Sequence, residues 1–548
     1  MTLLDPRANE LYASKLYSAS IIGHTTAHSA RIWIRLYEPG QWTLVVSKQP
    51  FSGDLKRLGE HNIAAFLQEQ AIQPCAVLSH DFSYASNLTH CFDVAELEPA
   101  TRYFYAVMTE RKEVSRRTEL GYGTPRQFRT LAANPEEIVF GFYSCHDHIN
   151  AGGDVGAWPN FLEQLNDLKA DFVIGGGDQI YVDTNAKLGF PDIWKWLKDN
   201  KPALLERYRK GRGYDQAGLY EYLLDIYRWY YRVYWNVGAL QQVYERFPQY
   251  MIWDDHEIMD GWGSFTEKER LKRLSRLFNE NQPSVDKMLV NLMWKAACRA
   301  YYEYEHSHNP QTPYDADEPD NCQWDYSFAH GPAAFYALDV RGHHDVEKQG
   351  DPYLLLGKTQ MTRFQNWLQA AADNPTCAVL FVITPVPLLH WVDALVNYAD
   401  LGSVKDDFMD EWDHQSNWSE RAVLLRNVFD RLDSQGKLLV FLSGDVHCAS
   451  AYRLTHERYR KARVYQLTSS AISRKPAPAA SMLGISAGGE LKGSKGVFGE
   501  RLFALTGNKN FSLLRVRRQA GGQYEVAVDL CWPGEEAGAT IRKRLILD

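Results

Sequence analysis

Four apolar runs in this chain each end in side chains of the kind that bind metal ions. "EIVFGFYSC" ends at Cys145 and continues into His146, Asp147 and His148. "DFVIGGGDQIYVD" carries Asp178, Tyr181 and Asp183, and "QYMIWDDHE" carries Asp254, Asp255 and His256. "KLLVFLSGDVH" carries Asp445 and His447. Taken alone, a Gly-Asp after a strand is usually a turn, and Asp-Asp-His can be a solvated loop or a local salt bridge. Four such ends together mean something else. Each is flanked by Gly or small residues that let the backbone turn sharply. Each supplies carboxylate, imidazole, thiolate or phenolate groups whose uncompensated burial would be costly. A pair of metal ions neutralises that charge most simply.

The elements that must position these groups are legible in the spacing. From about residue 135 the apolar runs alternate with helical segments. They include "AAFYALDVRG", "CAVLFVITPV" and "RVYQLTSS" besides the four above. Nearly continuous apolar strands are expected where both faces of a sheet are covered. "NFLEQLNDLKA" has helical spacing and makes a βαβ unit with its neighbours. In open α/β sheets ligands bind beyond the carboxyl ends of the strands, so four polar clusters at such ends can meet at one site. Residues 186–247 read as helical, with Leu219, Leu223, Ile226, Tyr230 and Val233 as a packing face. The segments 305–323 and 475–496 read as long loops. "FSLLRVRRQAGGQYEVAVDLCW" reads as a hairpin turning at Gly521-Gly522 that extends or caps a sheet.

Ahead of this region, residues 18 to about 131 read as short alternating strands. "LEPATRYFYAVM" resembles the tyrosine corner of immunoglobulin-like and fibronectin type III sandwiches, with Tyr103 or Tyr105 tying the corner. A supporting β-sandwich is expected there.

Composition narrows the function classes. The chain has 548 residues, 45% of them hydrophobic and 23% charged, which fits a globular protein of two or more domains. A net charge of −8, from 60 basic and 68 acidic residues, speaks against a nucleic-acid or anionic-membrane partner. No apolar run is long enough to span a membrane, and the start "MTLLDPRANELYASKL" lacks a leader's pattern. The eight cysteines (Cys75, Cys91, Cys145, Cys298, Cys322, Cys377, Cys448, Cys531) have no paired short spacing and read as free thiols. The expectation is a cytoplasmic protein.

Gly-Asp-x-x-Tyr (Gly177 to Tyr181), Asp-His-Glu (Asp255 to Glu257) and Gly-Asp-x-His (Gly444 to His447) resemble the calcineurin-like metallophosphoesterase superfamily. The closer resemblance is to the alkaline phosphatase D (PhoD-like) family. It is carried by Ser144-Cys145, "WDDHE", "SGDVH", "LDVRGH" (338–343), "LGKTQ" (356–360) and "DEWDHQSNWSERAVLL" (410–425), and it covers about residues 20 to 475. The resemblance implies a four-layer αββα metallophosphoesterase sandwich over 135–548, preceded by an all-β immunoglobulin/fibronectin-like domain over 1–134. It also implies a dimetal centre. Cys145, Asp178, Tyr181 and His447 would hold the first ion, Fe3+ because phenolate and carboxylate are hard anionic donors and the thiolate adds further charge. Asp178 would bridge to the second, with Asp255, Asp445 and an outer ligand, Asp260. Carboxylates there favour Ca2+, with Mn2+, Mg2+ and Zn2+ as alternatives.

The activity so implied is phosphoester hydrolysis by a hydroxide held in the centre and attacking phosphorus in line. His256 would protonate the leaving group or bind phosphate. Arg341 would contact phosphate through its guanidinium, or else form a structural ion pair. His343, His344 and Lys358 are weaker candidates, and His390 reads as structural. "SCHDH" departs from the family's pattern by adding His146, Asp147 and His148. Two alternatives stand: a phosphodiesterase or phospholipase acting on lipid, teichoic-acid-like or nucleotide diesters, and a binding or adhesion protein with a structural metal. Trp194, Trp196, Trp262, Trp391 and Trp412 could line an apolar entrance, although packing is the simpler reading. The partner expected is a phosphoester substrate. Oligomeric state is left open.

Overall fold

Apolar strands buried on both faces pair into two large sheets. The computed structural model describes residues 18–51, 62–109, 118–120 (backbone only), 126–183, 192–274, 283–344, 353–392, 409, 411–536 and 538–548. The amino-terminal stretch read for a leader, the first residues of the 186–247 segment and Asp410 lie outside them. A six-stranded sheet runs Gln249–Ile252, Phe172–Gly176, Glu137–Tyr143, Phe511–Arg518, Tyr524–Pro533, Thr540–Leu547. The first three strands are parallel, and the carboxy-terminal hairpin extends them antiparallel. An eight-stranded sheet has Ala333–Ala337, Val379–Ile383, Leu438–Ser443 and Arg463–Ser469 as its parallel centre.

The sheets meet through aromatic side chains. Phe140 packs edge-on against Phe335 at 5.5 Å and Phe381 at 5.1 Å between ring centroids, a preferred aromatic geometry. On the first sheet, helix Trp158–Leu168 lies so close that a Cβ on Gly141 would sit 2.5 Å from Phe161. Helices Gly357–Asp373 and Trp418–Gln435 bury Phe364, Leu368, Leu425 and Phe429 in the core of the second. Helices Ile193–Arg207, Gln216–Tyr234, Gly238–Tyr244 and Pro283–Tyr304 form a helical insertion. Its stripe of Leu219, Leu223, Ile226, Tyr230 and Val233 is buried, as the spacing predicts. Of the tryptophans weighed for an entrance, Trp194, Trp196 and Trp412 are core residues.

The amino-terminal region holds a three-stranded sheet and a five-stranded sheet around one core that includes Ile32, Trp42, Phe92 and Tyr103. The Glu98 amide donates to Tyr103 Oη at 2.7 Å, whereas Tyr105 donates to the Glu245 carbonyl at 3.0 Å. The expectation of strands alone needs correcting. Helix Ile63–Glu69 is present, capped by Asn62 Oδ1 accepting from the Ala65 amide at 2.8 Å. Ile63, Phe66 and Leu67 fall on one helical face and pack over Val45, Ala106 and Met108. Trp33 Nε1 donates to the Glu303 carbonyl at 2.6 Å, and Arg31 to the Asn309 carbonyl at 3.0 Å, fastening this region to the rest. Among the described residues no helix is long and apolar enough to cross a membrane.

Candidate metal centre

Each ligand-bearing segment begins where its strand stops. Cys145, Asp178, Asp445 and His447 all adopt positive φ, at 57°, 57°, 63° and 52°. That conformation costs a non-glycine residue roughly 1–2 kcal/mol and persists where surrounding structure enforces it. The enforcement is visible. The Cys145 amide donates to the Gly177 carbonyl at 3.1 Å, and the His146 amide to the Asp178 carbonyl at 2.7 Å. The Ile472 amide donates to the Ser144 carbonyl at 3.0 Å. A Cβ on Gly444 would come within 2.4 Å of Ser144 Oγ, so only glycine lets these two strand ends approach.

The side chains converge around Asp178. Tyr181 Oη donates to Asp178 Oδ2 at 2.9 Å, and Cys145 Sγ to the same oxygen at 3.3 Å. Tyr181 Oη lies 3.4 Å from His447 Nε2. Ligand atoms of Cys145, Asp178 and His447 all lie within 4.8 Å of one another, and the same holds for Asp178, Asp254, Asp255 and Asp445. Asp178 is therefore shared by two groups of donors. His256 joins Asp178 and Asp255 in a third such group, and Asp183 and Asp260 in a fourth. Asp260 thus sits beside His256, not within the four-carboxylate group.

The donor set fits cations. Asp178 Oδ1 and Asp183 Oδ1 are buried without a hydrogen-bond donor among the described residues. Burial, with Asp254, Asp255 and Glu257 nearby, pushes the Asp178 carboxyl well above its usual range. Burial, then Asp178 and Asp445, push the Cys145 thiol up, and burial, then Asp178 and Cys145, push the Tyr181 phenol up. Burial and the Arg474 charge hold His447 well below the ordinary imidazole value. Burial and mutual repulsion outweigh the opposing charges of His256 and Arg474, so these groups resist ionising together. Bound metal ions would offset that cost.

His256 behaves differently. Burial alone would pull its imidazole down, but Asp183, Asp255 and Asp178 outweigh it and raise it well above its usual value. Its Nδ1 is in a short contact with Asp183 Oδ2. Burial likewise opposes ionisation of Asp255, yet His256, Arg341 and the Gly261 amide leave that carboxyl below its usual value.

Arg341, expected to contact phosphate or else to form an ion pair, forms the ion pair. Its Nε meets Asp254 Oδ1, its Nη2 lies 3.6 Å from Asp255, and its side chain is 1% exposed. His344 is buried, Lys358 is exposed on its helix, and His390 is buried with Nε2 3.2 Å from Cys448 Sγ. His146, an extra candidate ligand by sequence, has both ring nitrogens engaged. Trp158 Nε1 donates to its Nδ1 at 3.0 Å, and its Nε2 donates to the Tyr234 carbonyl at 2.8 Å. Sequence reasoning passed over Asp254 as a member of the four-carboxylate group and Asp183 as the partner of His256, although both stand in the quoted runs. It missed Ser470, whose Oγ lies 2.9 Å from Cys145 Sγ, and Arg474. The available signal was "SSAISR", a run of small residues after an apolar strand that ends in a single charge.

Strand ends sharing one buried carboxylate between two donor groups define a class: a mixed α/β protein built to hold a metal centre. A family model described as PhoD-like phosphatase matches residues 140–487, and the chain belongs to that family of enzymes. A solved structure titled "Structure of PhoD" is similar in fold, with a TM-score of 0.60 at 17% identity, covering 97% of this chain and 90% of that one. The chain is also 23% identical over 358 residues to the uncharacterized protein YGR266W of Saccharomyces cerevisiae. That match takes in 55% of this chain and 48% of the yeast protein, so the chain spans about half the length of that relative.

Proposed function

We propose that the chain is a metal-dependent phosphoester hydrolase. Cys145, Asp178, Tyr181 and His447 hold one ion, and Asp178, Asp255 and Asp445 hold a second beside Asp254. The observation that carries this reading is the place of Asp178 in both donor groups. Phenolate, thiolate and carboxylate donors suit Fe3+ at the first position, and carboxylates alone suit Ca2+ at the second. When bound, such a pair supplies Lewis-acid stabilisation and lowers the pKa of a water.

The chain's own residues supply the rest. Asp183 engages His256 Nδ1 and leaves Nε2 to carry a proton to the leaving oxygen. Asp260 adds a further negative charge beside that imidazole. Arg341 fixes Asp254 and Asp255 against each other, which is a positioning role. We also assign residues 18–131 to an immunoglobulin-like sandwich ending near residue 134. The Tyr103 corner supports that sandwich. The two facing sheets with their outer helices form the αββα layering, supported by the shared aromatic core.

Elemental analysis of protein purified without added metal, paired with hydrolysis of p-nitrophenyl phosphate and its bis ester, tests the reading. Two bound ions and turnover lost in Asp178→Asn are expected. Metal-loaded protein inert toward both esters would sink it.

A further inference from the structure

The residues that depart from the family's pattern after Cys145 have a partner far along the chain. His146 Nδ1 meets Ser473 Oγ at 2.9 Å, and Asp147 Oδ2 forms a short ion pair with Arg474 Nη1. Two consecutive residues thus pair with two consecutive residues 327 positions away. The backbone follows suit, with the Arg474 amide donating to the Cys145 carbonyl at 3.2 Å and the Ala157 amide to the Ile472 carbonyl at 2.8 Å. Asp147 is fully buried and held independently by the Asn150 amide at 3.1 Å, Asn150 Nδ2 at 2.7 Å and Tyr234 Oη at 3.1 Å. Such a carboxylate does not depend on Arg474 for its hydrogen bonds. The pairing serves to aim the arginine.

It is aimed at the site. The Arg474 guanidinium carbon sits 4.5 Å from the centroid of the Tyr181 ring, and the His256 ring lies 4.0 Å from the same ring. The Arg474 side chain is 27% exposed, and Asp147 is its one ion-pair partner among the described residues. Arg341 offers no such access, being buried between Asp254 and Asp255. A guanidinium that keeps N–H donors open beside a metal site matches the paired oxygens of a phosphoryl group.

We propose that Arg474 binds the phosphoryl oxygens of the substrate and that Asp147 is its positioning residue. The proposal rests on the phosphoester reading above. It absorbs the "SCHDH" departure: His146 and Asp147 are the cradle of Ser473-Arg474 and not metal ligands.

The test uses the full chain loaded with metal. Inorganic phosphate is titrated by calorimetry, and kcat and KM are measured with p-nitrophenyl phosphate. Arg474→Met should weaken phosphate binding and lower kcat/KM by roughly 10–100-fold, the range for losing a charge-assisted hydrogen bond, with metal content unchanged. Arg474→Lys should recover part of the binding, since it restores charge without the fork. Asp147→Asn should weaken phosphate binding by a smaller factor. Wild-type phosphate affinity in metal-replete Arg474→Met overturns the proposal. If that variant does not fold or hold metal, wild-type affinity in Asp147→Asn overturns it instead. A wild-type protein that holds both ions but neither binds phosphate nor hydrolyses the ester overturns the phosphoester reading itself, and this proposal with it.

Discussion

The Glu257 carboxylate accepts the backbone amide of Asp178 at 3.3 Å, bridging two strand ends that lie 79 residues apart in sequence. The same carboxylate takes the Asp254 amide at 2.7 Å and contacts the amides of Gln179 and Ile180. Four N–H groups therefore converge on one side chain that touches no proposed substrate position. Glu257→Gln would turn an NH2 group toward two of those donors. A loss of about 1–3 kcal/mol of stability is expected, the cost of unsatisfied buried donors. Metal affinity should fall with it, roughly 10–100-fold as for other groups that orient ligands. Thermal unfolding and metal titration of the variant check both, and unchanged values would remove Glu257 from the scaffold.

Tyr181 separates the identity of the first ion from the existence of the site. Its hydroxyl is within 2.9 Å of Asp178 Oδ2 and 3.4 Å of His447 Nε2. With Fe3+ bound, a phenolate donor gives a visible absorption band. Tyr181→Phe should lose that band while keeping Cys145, Asp178 and His447 as donors. Iron retained with the band intact would show that the tyrosine is not a ligand.

His256 and Asp183 should separate proton transfer from metal binding. Replacing the ring in His256→Ala removes the proposed acid, and a fall of roughly 10²–10⁴ in kcat is expected for such a group. Asp183→Asn keeps the ring but weakens the hold on Nδ1, so its loss should be smaller. Both variants should contain the wild-type complement of metal, read by elemental analysis. Undiminished turnover in His256→Ala refutes the assignment.

What the sequence disclosed and what it withheld follow from range. Cys145, Asp178, Tyr181, Asp255, Asp445 and His447 stood out as candidates because each follows an apolar run, and the structure brings together the carboxyl ends of three strands of one sheet and one strand of the other. The carboxy-terminal hairpin was legible from its alternation and its two glycines. A tyrosine corner was legible because its hydrogen bond closes over five residues, but the choice of Tyr103 over Tyr105 came from the structure. Arg474 was not singled out, since the ion pair that orients it spans 327 positions and the run before it offers only a weak signal. Arg341 shows a different limit. Its residue type allows either a phosphate contact or an ion pair, and only the placement of Asp254 and Asp255 decides between them. Helix Ile63–Glu69 is seven residues long, too short for its apolar spacing to stand out.

Buried imidazoles fix the response of the fold to acid. His308 is fully buried, and burial, followed by Arg31 and His306, lowers its pKa to about 3. Its ordinary value is 6.5. The native ring stays neutral while the unfolded ring takes up a proton below that value. The unfolded state then binds more protons, so stability is fully present above pH 6.5 and is lost as pH falls toward 3. At about pH 5 this one residue accounts for roughly 2 kcal/mol. His306 and His390, also lowered to about 3, act in the same direction. His308 sits where the amino-terminal sheet meets the larger body, its carbonyl 2.2 Å from where a Cβ on Gly23 would lie. Acid should therefore loosen that junction. Urea unfolding at pH 7.5 and at pH 5 measures the loss, which should be about 2 kcal/mol smaller in His308→Leu than in the wild type. An equal loss in both proteins would show that His308 does not carry it.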